Sequence, residues 1–274
     1  MATWFITGCS TGLGHAFADV ALEHGHNVVA TARDASTLTV LVDAYPERVL
    51  ALPVDVTNDA TVTAAVAAAE ERFGGIDVLV NNAGYGYRAA VEEGEDAAVR
   101  TLFETHFFGS IRTIKAVLPG MRARRSGTIV NISSIGARTS AVGSGYYSAV
   151  KAAIEGMTLS LRREVAPLGI TAMVVEPGGF RTDFSGRSLT QAEAPLADYA
   201  DTAGRRRKEN SPHGTQPGDP RKAAAALITA VEAPAPPFML LLGNDAATAF
   251  RGALQALLAE VEQWDAVSRS TDFD

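Results

Sequence analysis

The chain has very little cysteine, with one residue, Cys9, among 274. A single thiol excludes internal disulfide bonds and cysteine-based zinc sites. Long apolar runs are also missing: residues 223–231 and 238–242 fall well short of the ~20 residues that a membrane helix needs, so we expect no membrane span. The first residues lack the basic segment and long apolar stretch of an export signal. We therefore expect a cytoplasmic protein without a metal site.

Basic charge is in deficit, since 24 Lys and Arg face 31 Asp and Glu for a net charge of −7. Nucleic-acid-binding proteins usually carry a basic excess, so we expect no nucleic-acid partner. Two basic runs, residues 122–125 and 205–208, go against this trend. Neither is interleaved with aromatic residues on which bases stack, and we interpret both as solvated helix ends or faces.

Apolar residues make up 47% of the chain, enough for a sizeable core. Short β-branched apolar runs alternate with alanine-rich stretches, which predicts one α/β domain over residues 1–274 with a doubly wound parallel sheet. The predicted strands are residues 4–7, 27–32, 49–54, 78–80, 127–132, 171–175 and 238–242. The predicted helices are residues 13–23, 60–72, 97–122, 147–166 and 221–232, with Pro119 in the last turns of the third or ending it early.

Residues 183–220 break this alternation. The segment has no clean strand pattern and is punctuated by Pro195, Pro212, Pro217 and Pro220. It follows the end of a predicted strand, which places it over the carboxyl edge of the sheet, where ligands bind in open α/β folds. We predict a substrate lid over residues 183–220; the alternative is a plain mobile loop without a ligand role.

A glycine-rich turn follows the first predicted strand and reads Thr7-Gly8-Cys9-Ser10-Thr11-Gly12-Leu13-Gly14. Glycines let backbone amides approach a pyrophosphate, and the N-terminus of a helix favours its negative charge. No Gly-Lys-Ser/Thr follows, so the turn is not a Walker loop. Its spacing also differs from the commonest dinucleotide fingerprint, and a purely structural tight turn is the alternative at this point.

The end of the second predicted strand bears on the choice of dinucleotide. An acid there accepts a hydrogen bond from the ribose 2′-hydroxyl of NAD, whereas a basic residue pairs with the 2′-phosphate of NADP. Ala32 stands where the acid is expected, and Arg33 follows it. Because a guanidinium grips a phosphate bidentately, we predict NADP rather than NAD. A register error of two residues would restore an acid, Asp34.

Tyr147 and Lys151 lie four residues apart in a predicted helix and therefore on one helix face. A phenol has a pKa of ~10, and a neighbouring ammonium favours the phenolate. Tyr147 is thus a candidate proton donor and acceptor at a carbonyl or alcohol oxygen. Tyr146 is excluded, since the residue four positions on is apolar. The strand before this helix ends in Ser133 and Ser134, and a serine hydroxyl there is a candidate to bind the same oxygen.

In their order and spacing these motifs resemble the short-chain dehydrogenase/reductase family. The matching segments are Thr7-Gly8-x-x-x-Gly12-x-Gly14, Asn81-Asn82-Ala83-Gly84, Ser134, Tyr147-x-x-x-Lys151 and Pro177-Gly178. The resemblance, from about Thr3 to about Thr182, implies a Rossmann-type three-layer αβα sandwich and hydride transfer between NAD(P) and a carbonyl or alcohol. The sequence around Pro177 is similar to the steroid and retinol dehydrogenase branch, which implies a bulky apolar substrate.

The resemblance also implies a role for each matching residue. The implied cofactor loop is Gly8, Ser10, Gly12, Leu13 and Gly14. At the adenosine end the resemblance implies Arg33 beside the 2′-phosphate, Asp55 at the adenine, and Asn82 and Gly84 along the ribose. At the other end it implies Pro177, Gly178 and Thr182 around the nicotinamide. Ser134, thirteen residues before Tyr147 as in the family, positions the substrate oxygen while Tyr147 exchanges the proton. Lys151 holds the nicotinamide ribose and lowers the pKa of the tyrosine.

One position departs from the family pattern, because His106 stands where the family usually has an asparagine in Asn-x-x-Gly. That asparagine bends its helix and holds, through its main-chain carbonyl, a water that links the lysine to solvent. A backbone role survives a change of side chain, so activity is still expected. Histidine, with a pKa of ~6.5, is also a candidate for a proton relay. The alternative is a packed histidine without a proton role.

The overall prediction is an NADP-dependent oxidoreductase that acts on a ketone, an aldehyde or an alcohol, with Tyr147 as proton donor and acceptor. The alternative from another class is a catalytically silent, NADP-sensing regulatory protein on the same fold. A family member that epimerises or dehydrates its substrate with tightly held NAD is a third possibility. By resemblance, helices 97–122 and 147–166 form a dimer face, which implies a homodimer or homotetramer.

Overall fold

The computed structural model describes residues 1–186, 188–208 and 214–273. The strands are β1 (Thr3–Ile6), β2 (Asn27–Ala32), β3 (Val49–Pro53), β4 (Val78–Asn81), β5 (Gly86–Arg88), β6 (Gly127–Ile132), β7 (Ile170–Pro177), β8 (Leu189–Gln191) and β9 (Met239–Leu242). Seven of them form one parallel sheet in the order β3-β2-β1-β4-β6-β7-β9, and the short strands β5 and β8 pair with each other. The predicted doubly wound sheet is therefore confirmed.

The helices are α1 (Gly12–Glu23), α2 (Thr39–Ala44), α3 (Asp59–Phe73), α4 (Asp96–Phe103), α5 (Gly109–Arg124), α6 (Gly136–Thr139), α7 (Gly145–Val165), α8 (Ala203–Lys208), α9 (Pro220–Val231) and α10 (Asn244–Arg269). The single helix predicted over residues 97–122 is wrong, because one π-helical turn, Glu104–Phe108, separates α4 from α5. Pro119 lies inside α5 and does not end it. None of the described helices combines the length and the apolar character that crossing a bilayer requires.

The central strands are buried on both faces because helices cover both sides of the sheet. Ile6 and Val28 point to the side that holds α1 and α9, and they share one apolar cluster with Phe17. Their neighbours Phe5 and Val29 point to the other side and pack with α3, α5 and α7. This explains why the strand sequences are continuously apolar and do not alternate with polar residues. The arrangement brings the turns after β1, β2, β3, β4, β6 and β7 to one carboxyl edge.

Candidate active site

The glycine-rich turn between β1 and α1 is held from beneath by Asn82, at the end of β4. Asn82 Nδ2 donates to the carbonyl oxygens of Thr7, at 2.9 Å, and Gly8, at 3.1 Å. A Cβ on Gly14 would lie 2.2 Å from the Gly8 carbonyl oxygen and 2.3 Å from Asn82 Nδ2, so no larger residue fits there. Gly8 has a φ of +74°, which favours glycine. The turn therefore owes its glycines to close packing.

The N-terminus of α1 suits an anion. Thr11 caps the helix without a side-chain hydrogen bond, and the first turn carries no acidic residue. The first amide groups thus have no side-chain acceptor, and the helix dipole favours negative charge there. Thr182 lies beside Gly12, with its Cβ 3.5 Å from where a Cβ on that glycine would lie. This geometry fits the pyrophosphate of a dinucleotide. Ser10 is exposed at the tip of the turn, and Leu13 packs against the core.

The turns after β2 and β3 lie next to each other at the carboxyl edge, where the family resemblance implies the adenosine. Arg33 directly follows β2 and is exposed, whereas the Asp34 carboxylate accepts hydrogen bonds from the backbone nitrogen of Ser36, at 3.0 Å, and from its hydroxyl, at 2.7 Å. Both side chains face solvent, but the Asp34 carboxylate is engaged as a local cap, whereas the guanidinium follows the strand end directly. The backbone N–H of Thr57 lowers the pKa of Asp55, and the charge of Arg33 contributes to the same shift. Arg33 and Asp55 thus lie in one neighbourhood.

Tyr147 lies in the first turn of α7, facing the end of β6. Burial raises the pKa of its phenol to about 12, and a hydrogen bond with Ser134 opposes that shift. Ser134 Oγ also accepts from the Gly136 backbone nitrogen at 3.0 Å, which fixes the hydroxyl at the strand end. Tyr146 points elsewhere, with its hydroxyl donating to the Val91 carbonyl oxygen at 2.5 Å. Ser134 and Tyr147 are thus brought together, as the motif predicts.

Lys151 is buried one helical turn after Tyr147. Its Nζ lies 5.6 Å from the centroid of the Tyr147 ring and donates to the Ile132 carbonyl oxygen at 2.7 Å. Burial lowers the pKa of Lys151 to about 7, and the charge of Glu155 opposes this. The expected lowering of the tyrosine pKa by the lysine is not found, because the burial of the phenol dominates.

His106 lies in the π-helical turn, where the family resemblance implies a bend. Its Nε2 is 3.0 Å from the Tyr85 backbone nitrogen and 2.8 Å from that residue's carbonyl oxygen. The ring packs on Gly84, whose Cβ would lie 2.2 Å from Cε1, and meets the Tyr147 ring edge-on at 5.9 Å between centroids. Burial lowers the His106 pKa well below its usual value, and the charge of Lys151 lowers it further. The imidazole is therefore neutral near pH 7, which fits the packed alternative better than the relay.

Behind Lys151 lies a buried acidic pair that the motifs do not include. Glu155, one turn further along α7, accepts from Ser133 Oγ at 2.5 Å and pairs with the Arg138 guanidinium, also at 2.5 Å. Glu176, on β7, has no exposed surface, and Arg138 Nε lies 3.9 Å from its Oε1. Burial, together with the neighbouring Glu155, raises the pKa of Glu176 to about 7. The signals in sequence were an acid four residues after Lys151 and another directly after the predicted strand 171–175.

The turn after β7 borders the candidate site, where the family resemblance implies the nicotinamide. Pro177 ends the strand, and a Cβ on Gly178 would lie 2.3 Å from Asp245 Oδ1, so glycine is needed there. The Gly179 backbone nitrogen donates to Asp245 Oδ2 at 2.7 Å. The start of α10 therefore fixes this turn, a contact that the sequence patterns did not predict.

The first part of the predicted lid lies against the site. The Phe184 ring is 5.8 Å from that of Tyr147, centroid to centroid, and β8 pairs with β5 beside Tyr85. Arg207, on α8, pairs with Glu93, which also accepts from the Leu196 backbone nitrogen at 2.9 Å. Arg207 is thus nearly buried, so the solvated interpretation of residues 205–208 is wrong for this side chain. Residues 187 and 209–213 of the predicted lid lie outside the described residues.

The sequence matches the family model described as short chain dehydrogenase over residues 2–193, and this protein belongs to that family. A short-chain dehydrogenase of known structure from Streptomyces avermitilis is 43% identical, with a TM-score of 0.92 over 99% of this chain and 100% of that one. Another, from Burkholderia cenocepacia in complex with NADP, is 28% identical, with a TM-score of 0.74 over 96% of both chains. The 3-ketodihydrosphingosine reductase of Bacteroides thetaiotaomicron is 37% identical over 94% of this chain and 91% of its own. This protein is accordingly an NAD(P)-dependent oxidoreductase.

Proposed function

We propose that this protein reduces the carbonyl group of a bulky, apolar ketone with NADPH, and that Tyr147 donates the proton. The observation that carries the proposal is the meeting of Tyr147, Ser134 and Lys151 at the carboxyl edge of the sheet, next to the glycine-rich turn. A bound nicotinamide supplies the hydride. The chain's own task is to orient the carbonyl and to deliver a proton to its oxygen.

The proton chemistry follows from burial. A phenol with a pKa near 12 is fully protonated at neutral pH, which suits a donor in the reductive direction. Ser134 Oγ, fixed by the Gly136 backbone nitrogen, is placed to bind the carbonyl oxygen that receives this proton. Lys151 Nζ lies beneath the Tyr147 ring, where it would hold the nicotinamide ribose.

The choice of NADP rests on Arg33. It is exposed at the end of β2, while the acid that would select NAD, Asp34, is bonded to Ser36. A guanidinium in this place pairs with a 2′-phosphate, and the 2′-hydroxyl of NAD offers it no charge. Asp55, whose pKa the Arg33 charge helps to lower, would face the adenine ring.

The substrate class is supported by the surface that covers Tyr147. Phe184 contacts the Tyr147 ring from the predicted lid and is partly exposed, and Leu189 packs on Gly86 beside it. Together these side chains offer apolar surface over the reacting position. The Bacteroides relative is named for the reduction of 3-ketodihydrosphingosine, a ketone of the same apolar character. We therefore propose long-chain or polycyclic ketones as the substrate class, with residues 183–220 as the lid.

The test is Tyr147→Phe, with Tyr146→Phe as the matched control on the neighbouring residue. NADPH oxidation is followed with a panel of long-chain, steroidal and small ketones, and NADPH binding by its fluorescence. We expect Tyr147→Phe to lose at least ~10²-fold in kcat with little change in cofactor binding, as for the loss of a general acid. Tyr146→Phe should stay active. Unchanged turnover in Tyr147→Phe refutes the mechanism. If the wild type binds NADPH but turns over no ketone or alcohol, the regulatory alternative is favoured.

A further inference from the structure

The last helix, α10, is attached to the body of the protein only at its beginning. Ala246 is buried, and the ring of Phe250 packs against the guanidinium of Arg138, 5.9 Å from centroid to Cζ. From Leu254 to Arg269 nearly every side chain is exposed. These sixteen residues of helix extend ~24 Å, at 1.5 Å per residue, without a described residue packing over them.

The exposed part of α10 carries an apolar stripe, which we define as Leu254, Leu257, Leu258, Val261 and Trp264. Their side chains are between 48% and 63% exposed. At 100° per residue the five positions fall within about 120° of the helix circumference, which is the width of a core-facing stripe. Val267, 57% exposed, lies outside that arc. Half-exposed side chains of this size present on the order of 500 Å² of contiguous apolar surface, as large as interaction patches on soluble proteins.

The charges beside the stripe indicate what covers it. Arg251 and Glu262 lie on the same flank, three turns apart, and neither has an ion-pair partner among the described residues. If two α10 helices cross in antiparallel orientation near Leu257, Arg251 of one copy comes level with Glu262 of the other. A two-fold axis forms this pair twice. In antiparallel helix pairs, residues on the same flank of both helices face each other. Arg251 of each copy therefore faces Glu262 of the other copy, which carries the opposite charge.

We propose that the stripe on α10 is the contact surface of a homodimer, in which two copies of this chain pair their α10 helices antiparallel. With the helices crossing near Leu257, Val261 and Trp264 of each copy lie opposite residues 249–252 of the other, so the contact continues from the stripe toward the start of α10. The two surfaces bury about 1,000 Å² together, the lower limit for a specific interface. This surface is separate from the face of α5 and α7 that the family resemblance implies. A membrane surface is the less favoured occupant, because Glu260 and Glu262 lie on the flanks and Asp265 lies in line with the stripe itself, and anionic headgroups repel all three.

The first experiment measures the mass of the full-length protein in solution by sedimentation velocity, over a range of concentrations. Leu258→Asp, in the centre of the stripe, is compared with Val267→Asp, which introduces the same charge at an equally exposed position outside it. We expect the wild type and Val267→Asp to be dimers, and Leu258→Asp to dimerise about a hundredfold more weakly, since each dimer loses two buried leucines. The three proteins should have the same far-UV circular dichroism spectrum and the same rate of NADPH oxidation, because both substitutions lie outside the candidate active site.

The second experiment tests the orientation of the helices by charge reversal. Arg251→Glu and Glu262→Arg each place like charges opposite one another twice in the dimer, and each should weaken dimerisation by about tenfold. The double variant restores both pairs and should dimerise like the wild type. Trp264 provides a probe, because its emission should shift to the blue on pairing while Trp4 is already buried.

Three results would overturn the proposal. The first is a wild type that stays monomeric at ~50 µM, far above the dissociation constant of a specific dimer of this size. The second is a dimer or tetramer that Leu258→Asp leaves intact, which would place the interface on another face such as that of α5 and α7. The third is binding of monomers to phosphatidylcholine–phosphatidylglycerol vesicles that Leu258→Asp abolishes. Failure of the double charge reversal to rescue would refute the antiparallel arrangement.

Discussion

Glu176 makes the stability of this protein depend on pH, and Glu176→Gln should remove most of that dependence. The carboxyl group has no exposed surface, and no described donor hydrogen-bonds to either oxygen. When protonated, it can donate to Glu155, whose own hydrogen bonds come from Ser133 and Arg138. Glutamine has the shape and the donor capacity of the protonated acid, so the variant keeps the packing while it removes the titration.

The magnitude follows from the shift in pKa. Burial, with the charge of Glu155, raises the pKa of Glu176 from 4.5 to about 7. Between these values the folded state binds more protons than the unfolded state, so the free energy of unfolding falls as the pH rises. At 1.36 kcal/mol per pKa unit the loss amounts to about 3 kcal/mol, complete above the folded-state pKa. For a chain of this size that corresponds to roughly 6–12 °C in Tm.

The assay is urea unfolding, followed by far-UV circular dichroism, at about pH 5 and about pH 8, on either side of the titration. The difference in unfolding free energy between the two pH values should be about 3 kcal/mol smaller in Glu176→Gln than in the wild type. Glu176→Gln should accordingly be the more stable protein at the higher pH. Glu47→Gln, a change at an almost fully exposed carboxylate, should leave the pH dependence as it is. If wild type and Glu176→Gln respond identically to pH, the buried carboxyl does not titrate in this range and the reasoning is refuted.

Two further predictions concern the cofactor end and the π-helical turn. Arg33→Ala should raise the KM for NADPH about tenfold or more, through loss of a charge-assisted hydrogen bond, and leave the KM for NADH unchanged in steady-state kinetics. An equal effect on both cofactors would contradict the assignment of the 2′-phosphate to Arg33. His106→Asn should leave the pH profile of kcat unchanged between about pH 6 and 9, because the buried imidazole is already neutral there. A shifted inflection in that profile would support the proton relay.

The candidate site could be predicted because it is made of local motifs at strand ends. The turn after β1 needs glycine for close packing at Gly14, and Tyr147 and Lys151 share a helix face through their spacing alone. Such constraints act over a few residues, and the order of the strands in the sheet then brings them to one edge. The doubly wound fold followed for the same reason, since apolar strands and amphipathic helices alternate along the chain.

The features that escaped prediction depend on contacts distant in sequence. Glu176 stands in a strand pattern that calls for an apolar residue, and only the fold shows that Arg138 and Glu155 lie beside it. The π-helical turn at His106 leaves the helical periodicity of residues 97–122 almost unchanged, so pattern reasoning merged two helices. The pair of β5 and β8 joins segments about a hundred residues apart, each only three residues long. The whole of α10 was missed, since the sequence analysis predicted no helix after residue 232.

The charge on Lys151 is controlled by side chains that lie outside the proposed substrate site. Burial lowers its pKa to about 7 even though the negative charge of Glu155 opposes the shift. Glu155 in turn keeps that charge because Ser133 and Arg138 stabilise it, while Glu176 holds the proton. Arg138 reaches this pair from α6, and its guanidinium rests on Phe250 at the root of α10. Glu155 is therefore the source of the negative potential that keeps the pKa of Lys151 from falling further, and the α10 root helps to hold the arginine that pairs with it.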